Sequence, residues 1–204
     1  MIIDRVFHVP NYYHEHEAFF FPGWDHNILF NNQNPLCIEY CTGNGSWITE
    51  KAKEFPDTNW VGVEMCYDRV RKVWSKIKNA NLSNLIIVAG EAWTFTHYYV
   101  KDSLVEEVYI NFPDPWPKRK HKKHRLMNFA FIHELARILK LGKKLTFVSD
   151  DANYLIETIG AFERHPNFIL SHLDDNLPNY GASWFENLWR SQGRKIQYLQ
   201  FLTV

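Results

Sequence analysis

Short apolar runs alternate with segments of helical period from residue 35 onward. The runs stand at Leu36 to Cys41, Trp60 to Met65, Leu85 to Ala89, Val105 to Ile110 and Lys144 to Val148, each of strand length and rich in Val, Ile and Leu. Between them, residues 46–54, 68–79, 124–140 and 151–164 repeat apolar positions at three- and four-residue intervals, which predicts helices. A last strand is expected at Ile196 to Leu202. Strands alternating with helices specify an α/β fold with a mostly parallel sheet covered on both faces. Residues 1–34, rich in Tyr, Phe, Trp and Asn, read as an irregular lead-in packed on a domain of residues 35–204, and residues 171–194 as a mobile loop region.

Composition adds bounds to this pattern. A chain of 204 residues, 46% hydrophobic and 16% aromatic, suits one domain with a sizeable core. No apolar run reaches the length of a membrane span, and MIIDRVFHVP carries an acid where a signal peptide has a charged-then-apolar pattern, so a cytoplasmic protein with no membrane partner is expected. Cys37, Cys41 and Cys66 are odd in number and form no CxxC pair, so neither disulfide nor structural zinc is expected. Histidines such as His14, His16, His121 and His124 lack acidic or cysteine partners at ligand spacing, and no metal site is predicted.

Candidate chemistry begins at the first strand, which ends IEYCTGNGSW. Glu39 stands near its carboxyl end, and Gly43 and Gly45 turn the chain into the next helix, where a ligand can approach the backbone. Glu64 follows nineteen residues past Gly45 at the end of the second strand, a distance at which an acid accepts hydrogen bonds from both ribose hydroxyls of a bound nucleoside. Glu91, after the third strand, is placed to reach an adenine amino group or to stand as a solvated loop acid. A dinucleotide needs a helix N-terminus for its pyrophosphate, usually through GxGxxG, and CTGNGSW lacks the third glycine. S-adenosylmethionine has no phosphate, and its ammonium and sulfonium groups favour acids such as Glu39 and Asp114.

Asp114 lies in INFPDPWPKRKHKKHR. Pro113, Pro115 and Pro117 forbid both a helix and a central strand, leaving a stiff loop that holds the carboxylate. An Asp before Pro is also a common turn former. Lys118, Arg119, Lys120, Lys122, Lys123 and Arg125 follow, with His121 and His124 between them. The chain is neutral overall, with 23 basic and 23 acidic residues, so without these six cations 17 basic residues face 23 acids. The run therefore reads as a phosphate grip. As the first turn of a helix with its apolar stripe at Leu126, Phe129, Ile132, Leu135 and Leu139, it would sit unfavourably at the positive end of the dipole. Trp116, between prolines, reads as a core plug ahead of the alternative, a stacking platform.

The segment FPDPWPKRKHKKHRL resembles FPDPWPKKRHHKRRL of the bacterial tRNA (guanine-N7)-methyltransferases, and the resemblance extends from about Trp24 to the C-terminus through WDHNILFNNQNPLCIEYCTGNG, SDDANY and SWFENLWRSQGRKIQYLQF. It implies a Rossmann-like, doubly wound fold of the class I methyltransferase type. The implied activity is transfer of a methyl group from S-adenosylmethionine to guanine N7 in the tRNA variable loop, with tRNA as partner. By this likeness the cofactor acids fall on Glu39, Glu64, Glu91 and Asp114, with Asp114 catalytic, and the guanine-site and RNA-contacting residues on Lys118, Asp150, Ser183 and Glu186. Asp150 also reads as a helix N-cap, and Ser183 with Glu186 as a capping box. The chain departs from the family in having Cys41 where the loop normally starts with glycine, Ser149 before Asp150 and Ser183 before Glu186 where threonine is usual. Glycine at position 41 is expected to bind the cofactor as well or better, with a small loss of stability. A nicotinamide-dependent oxidoreductase and a non-catalytic RNA-binding relative are the alternatives. The missing glycine opposes the first, and retention of Glu39, Glu64 and Asp114 the second.

Overall fold

The computed structural model describes residues 1–10 and 13–204, apart from the side chains of Tyr13, His14 and Arg119. The chain divides into two compact units, Met1–Val100 and Lys101–Val204.

In the first unit, β1 (Ile2–Ile3), β2 (Val6–His8), β3 (Leu36–Tyr40), β4 (Asn59–Glu64) and β5 (Leu85–Ala89) lie in the order β1-β2-β5-β4-β3. All neighbours are parallel except β1 and β2. Every residue of β3 and β4 is buried, which matches their near-continuous apolar character and the covering of both sheet faces. Helices α2 (Ser46–Glu54) and α3 (Tyr67–Asn79) provide the crossovers, and α4 (Ala92–Tyr99) follows β5. On α3, Val70, Val73 and Ile77 form the buried stripe. The registers Glu39↔Gly62 and Glu64↔Ala89 place both acids at carboxyl ends of parallel strands, where ligands bind in open α/β sheets.

Among the described residues of 1–34, two strands and a short helix stand in place of the expected irregular lead-in. β2 extends the sheet beside β5, and a short helix α1 (Tyr13–Ala18) follows. Phe7 is fully buried, with Phe21 stacked at 5.4 Å and Tyr99 edge-on at 4.8 Å, and Trp24 donates its indole N–H to the Tyr99 carbonyl at 3.1 Å. Phe7, Trp24 and Phe30 are core packing, which period-based reading cannot place because the residues follow no regular spacing.

In the second unit, β6 (Val105–Asn111), β7 (Leu139–Ser149), β8 (Phe168–Asp174) and β9 (Gln197–Thr203) lie in the order β6-β7-β9-β8. β6 and β7 are parallel, and β9 is antiparallel to both β7 and β8. Helices α5 (Phe129–Ile138), α6 (Ala152–Glu163) and α7 (Trp184–Ser191) complete the unit. Phe162 of α6 stacks on Phe201 of β9 at 3.8 Å. The expected loop region 171–194 instead holds the end of β8 and all of α7. β8 exposes Ile169, Leu170 and Leu173, so its sequence lacks the alternation that marks a half-buried strand.

The expected helix 124–140 is also corrected. A 3-10 turn spans Arg119–His124, Asn128 caps α5 by accepting from the Phe131 amide at 3.0 Å, and Leu139 already belongs to β7. The cationic run is therefore a separate turn and does not sit on the first turn of α5. With the run off the helix end, the α5 dipole no longer favours a functional reason for it.

Candidate functional site

In the first unit the glycine loop is tied to the acid of the next strand. Glu64, 5% exposed, accepts from the Gly43 amide at 3.0 Å through Oε2 and from the Cys66 amide at 2.8 Å through Oε1. Arg69 approaches Oε2 at 3.7 Å from a half-exposed position. A carboxylate has about four acceptor positions, so each oxygen retains capacity for a further donor. Glu39 is 1% exposed at the end of β3. Gly43 and Gly45 both adopt left-handed backbone, with φ of 60° and 73°.

Gly45 has a second reason to be glycine. A Cβ there would stand 2.7 Å from Cγ2 of Val73, so its smallness also lets α3 pack against the loop. Cys41 also has positive φ, 59°, the conformation for which glycine is favoured. Glu91 is the N-cap of α4, accepting from the Trp93 amide at 3.0 Å and the Thr94 amide at 2.7 Å. Its first structural task is thus capping, and its exposed carboxylate keeps acceptor positions toward solvent.

The test for a cofactor follows from these contacts. The Ser46 amide at the start of α2 is engaged by Asn44 Oδ1 at 3.1 Å, which leaves the helix end poorly prepared for a pyrophosphate. Two buried acids at strand ends suit a nucleoside that carries positive charge. The residues fit S-adenosylmethionine.

In the second unit Asp114 is exposed, and its Oδ1 accepts from the Trp116 amide at 2.9 Å, a tight local turn. Phe112 and Trp116, on either side, have φ of 50° and 42°, values rare for bulky residues. Three prolines and two left-handed residues fix the carboxylate. Trp116 is half-buried and no core plug, with His124 5.3 Å and His121 5.7 Å from its ring.

The cations divide into two groups. Lys118, Lys120 and Lys123 are exposed. Lys122 pairs with Glu157 of α6, and Arg125 is 6% exposed, donating through Nε to the Pro115 carbonyl at 2.6 Å, pairing with Glu157 and lying 4.8 Å over the Tyr154 ring. Arg125 is a strut that holds the Asp114 loop to α6, a correction to its expected place among the phosphate contacts. Its side chain is consumed by a carbonyl, an acid and a ring. The Lys122 hydrogen bond and then that of Arg125 hold the Glu157 carboxyl below its ordinary range. The Arg119 side chain lies outside the described residues.

Asp150 is not the cap of α6. Asp151 is, accepting from the Tyr154 amide at 2.7 Å. Asp150 is left to pair through Oδ2 with Arg194 at 2.5 Å. Ser183 does cap α7, its hydroxyl accepting from the Glu186 amide at 3.1 Å. The Glu186 carboxylate turns instead to Arg190 at 2.9 Å and Tyr198 at 2.5 Å. Burial first, and then the hydrogen bond to Glu186, push the Tyr198 hydroxyl up to about 12. Arg190, Arg194 and Tyr198 escaped the sequence reading, although the i,i+4 spacing of Glu186 and Arg190 was a usable signal. Among the described residues no cluster of metal-ligating side chains occurs and no helix is long and apolar enough to cross a membrane.

Comparison with known proteins places this arrangement in a class. Residues 33–199 match the family model described as "Putative methyltransferase". Two solved structures share the fold: a SAM dependent methyltransferase from Aquifex aeolicus, with TM-score 0.60, 12% identity and 85% of each chain covered, and phosphoethanolamine N-methyltransferase 2 from Haemonchus contortus, solved with S-adenosyl-L-methionine, with TM-score 0.59, 10% identity, and 83% of this chain and 48% of that one covered. The chain is 45% identical over 203 residues to the tRNA (guanine-N(7)-)-methyltransferase of Chlamydia trachomatis serovar D, covering 98% of this chain and 90% of that protein. It is 30% identical over 171 residues to the protein of that name from Thermotoga maritima, covering 84% and 55%. The chain belongs to the tRNA (guanine-N7)-methyltransferase family.

Proposed function

We propose that the chain transfers the methyl group of S-adenosylmethionine to N7 of a guanine in the variable loop of tRNA. Near-full-length likeness to proteins of that activity supports this reading, and the observation that carries it is the immobilised Asp114 loop followed by exposed Lys118, Lys120 and Lys123. When bound, the cofactor supplies an electrophilic methyl group on a sulfonium centre. Glu39, Glu64, Glu91 and Asp114 hold it, with Glu64 placed to accept from the ribose hydroxyls and Gly43 kept in position by the same carboxylate.

Guanine N7 has an in-plane lone pair and no proton, so the chain needs no general base. Positioning supplies the rate, and well-oriented reactants allow about 7 to 11 kcal/mol of barrier reduction. As positive charge moves onto the guanine ring, Asp114 and Asp150 stabilise it electrostatically. Glu186 accepts from the N–H groups of the guanine edge, which adenine does not match, and the exposed lysines grip phosphates.

Incubating the protein with labelled S-adenosylmethionine and unmodified tRNA, then mapping the base that carries the label, tests the reading. Label at guanine N7 in the variable loop is expected. Label elsewhere, or none from folded protein that binds the cofactor, would overturn it.

A further inference from the structure

Glu186 is 5% exposed, although a carboxylate normally keeps to water. Both of its side-chain hydrogen bonds end on one oxygen. Arg190 donates from Nε to Oε1 at 2.9 Å, and the Tyr198 hydroxyl donates to the same atom at 2.5 Å. Among the described residues Oε2 has no hydrogen-bond partner.

The donors are themselves fixed. Arg190 donates a second N–H to the Asp175 carbonyl at 3.2 Å, and the Tyr198 ring lies 5.3 Å from that of Tyr180. Tyr180 in turn donates to Asn111 Oδ1 at 2.7 Å, and Asn111 ends β6 just before the Asp114 loop. Glu186 is thus connected through two tyrosines to the strand that delivers Asp114. Asp150 repeats the arrangement. Arg194, its guanidinium 3.9 Å over the Trp189 ring, ties Oδ2, and among the described residues Oδ1 has no partner.

We propose that Tyr198 and Arg190 are positioning residues for base recognition, locking Oε1 of Glu186 so that Oε2 alone meets the N–H donors of guanine. The proposal rests on the reading of Glu186 as a guanine-site residue. A carboxylate free to rotate presents either oxygen in many directions, and it accommodates a base with fewer donors by turning away. One held by two fixed donors cannot turn, so a base that lacks an N–H leaves Oε2 unmatched in a site with little water. Because its proton is held up to about pH 12, Tyr198 stays a donor throughout the working range.

The test uses two tRNA substrates, one with guanosine and one with inosine at the target position, since inosine keeps N1–H but lacks the 2-amino group. Tyr198→Phe removes one hydroxyl and keeps the ring. It is expected to lower kcat/KM on the guanosine substrate about tenfold, the scale of a lost hydrogen bond to a charged group, and to narrow the guanosine-over-inosine preference. Cofactor affinity by calorimetry and melting temperature should stay near the parent values. Arg190→Ala should act in the same direction, with partial rescue by Arg190→Lys, and this half-exposed residue serves if Tyr198→Phe fails to fold. If both variants keep the parent's preference and KM while Glu186→Gln abolishes the preference, the positioning idea is wrong and the guanine-site reading stands. If Glu186→Gln leaves the preference intact, the reading of Glu186 fails and the proposal with it.

Discussion

The acids of the two units are held by different kinds of partner. In the first unit, Glu64 and Glu91 bond chiefly to main-chain amides, those of Gly43 and Cys66 for one and of Trp93 and Thr94 for the other, with Arg69 at 3.7 Å from the first and the Thr94 hydroxyl donating to the second at 2.8 Å. In the second, Asp150 and Glu186 are held by the side chains of Arg194, Arg190 and Tyr198. A main-chain partner survives any substitution short of proline, whereas a side-chain partner is changed by a single codon. The first arrangement suits a ligand that never varies, the second a macromolecule whose recognition can be retuned. Asp114 lies between these cases, with a main-chain partner at Trp116 and an exposed carboxylate.

The sharpest test of this contrast is Asp114→Ala, which should lower kcat about 100-fold or more, as loss of a preorganised electrostatic group does. The affinity for tRNA and the melting temperature should change little, because the side chain is exposed and gives up one local hydrogen bond. Activity within a few-fold of the parent would remove Asp114 from the chemistry. Glu64→Ala should behave differently and lose both cofactor affinity and stability. The buried Gly43 amide would lose its partner, at about 2 kcal/mol in urea denaturation, whereas the exposed Cys66 amide regains water. A Glu64 variant as stable as the parent would show that the amide contacts hold nothing in place.

The next effect is smaller and separates the cations. Lys123→Gln and Lys120→Gln should each reduce the slope of log affinity for tRNA against log salt by roughly 0.7 to 0.9, one phosphate contact apiece. Lys122→Gln should reduce it less, since Glu157 already shares its charge. Equal slopes for all three would mean that RNA displaces Glu157. The smallest effect is expected at Cys41→Gly. The sequence alone predicted a slight loss of stability, but a φ of 59° reverses the sign, because relief of left-handed strain exceeds the added chain entropy. A gain of about 0.5 kcal/mol is expected in denaturation, with cofactor binding equal or tighter by calorimetry. Weaker binding in a folded variant would show that the thiol makes a favourable contact.

The legible parts of the fold were those with local periodicity. β5 at Leu85–Ala89 and α2 at Ser46–Glu54 carry the predicted bounds, and β3, β4 and α6 differ by a residue or two. What escaped was set by distant partners. β2 is defined by its pairing with β5, and α7 by a Ser183 cap inside a polar stretch. The candidate acids were recognisable from strand ends and spacing. The partners that orient them were not, because Arg194 lies 44 residues from Asp150 and nothing local joins Arg125 to Glu157, 32 residues away. Arg125 in particular looks like its neighbours in sequence, and only burial separates it from them.

The Asp114 loop has one further consequence, in the heat of binding. With two prolines between two left-handed residues and a third directly after them, its backbone has few conformations to surrender, so its ordering cost falls on folding rather than on association. A tRNA that docks there meets a surface already in its final form. Association at this loop should therefore carry little of the unfavourable entropy, offset by favourable enthalpy, that accompanies segments which fold on contact with RNA.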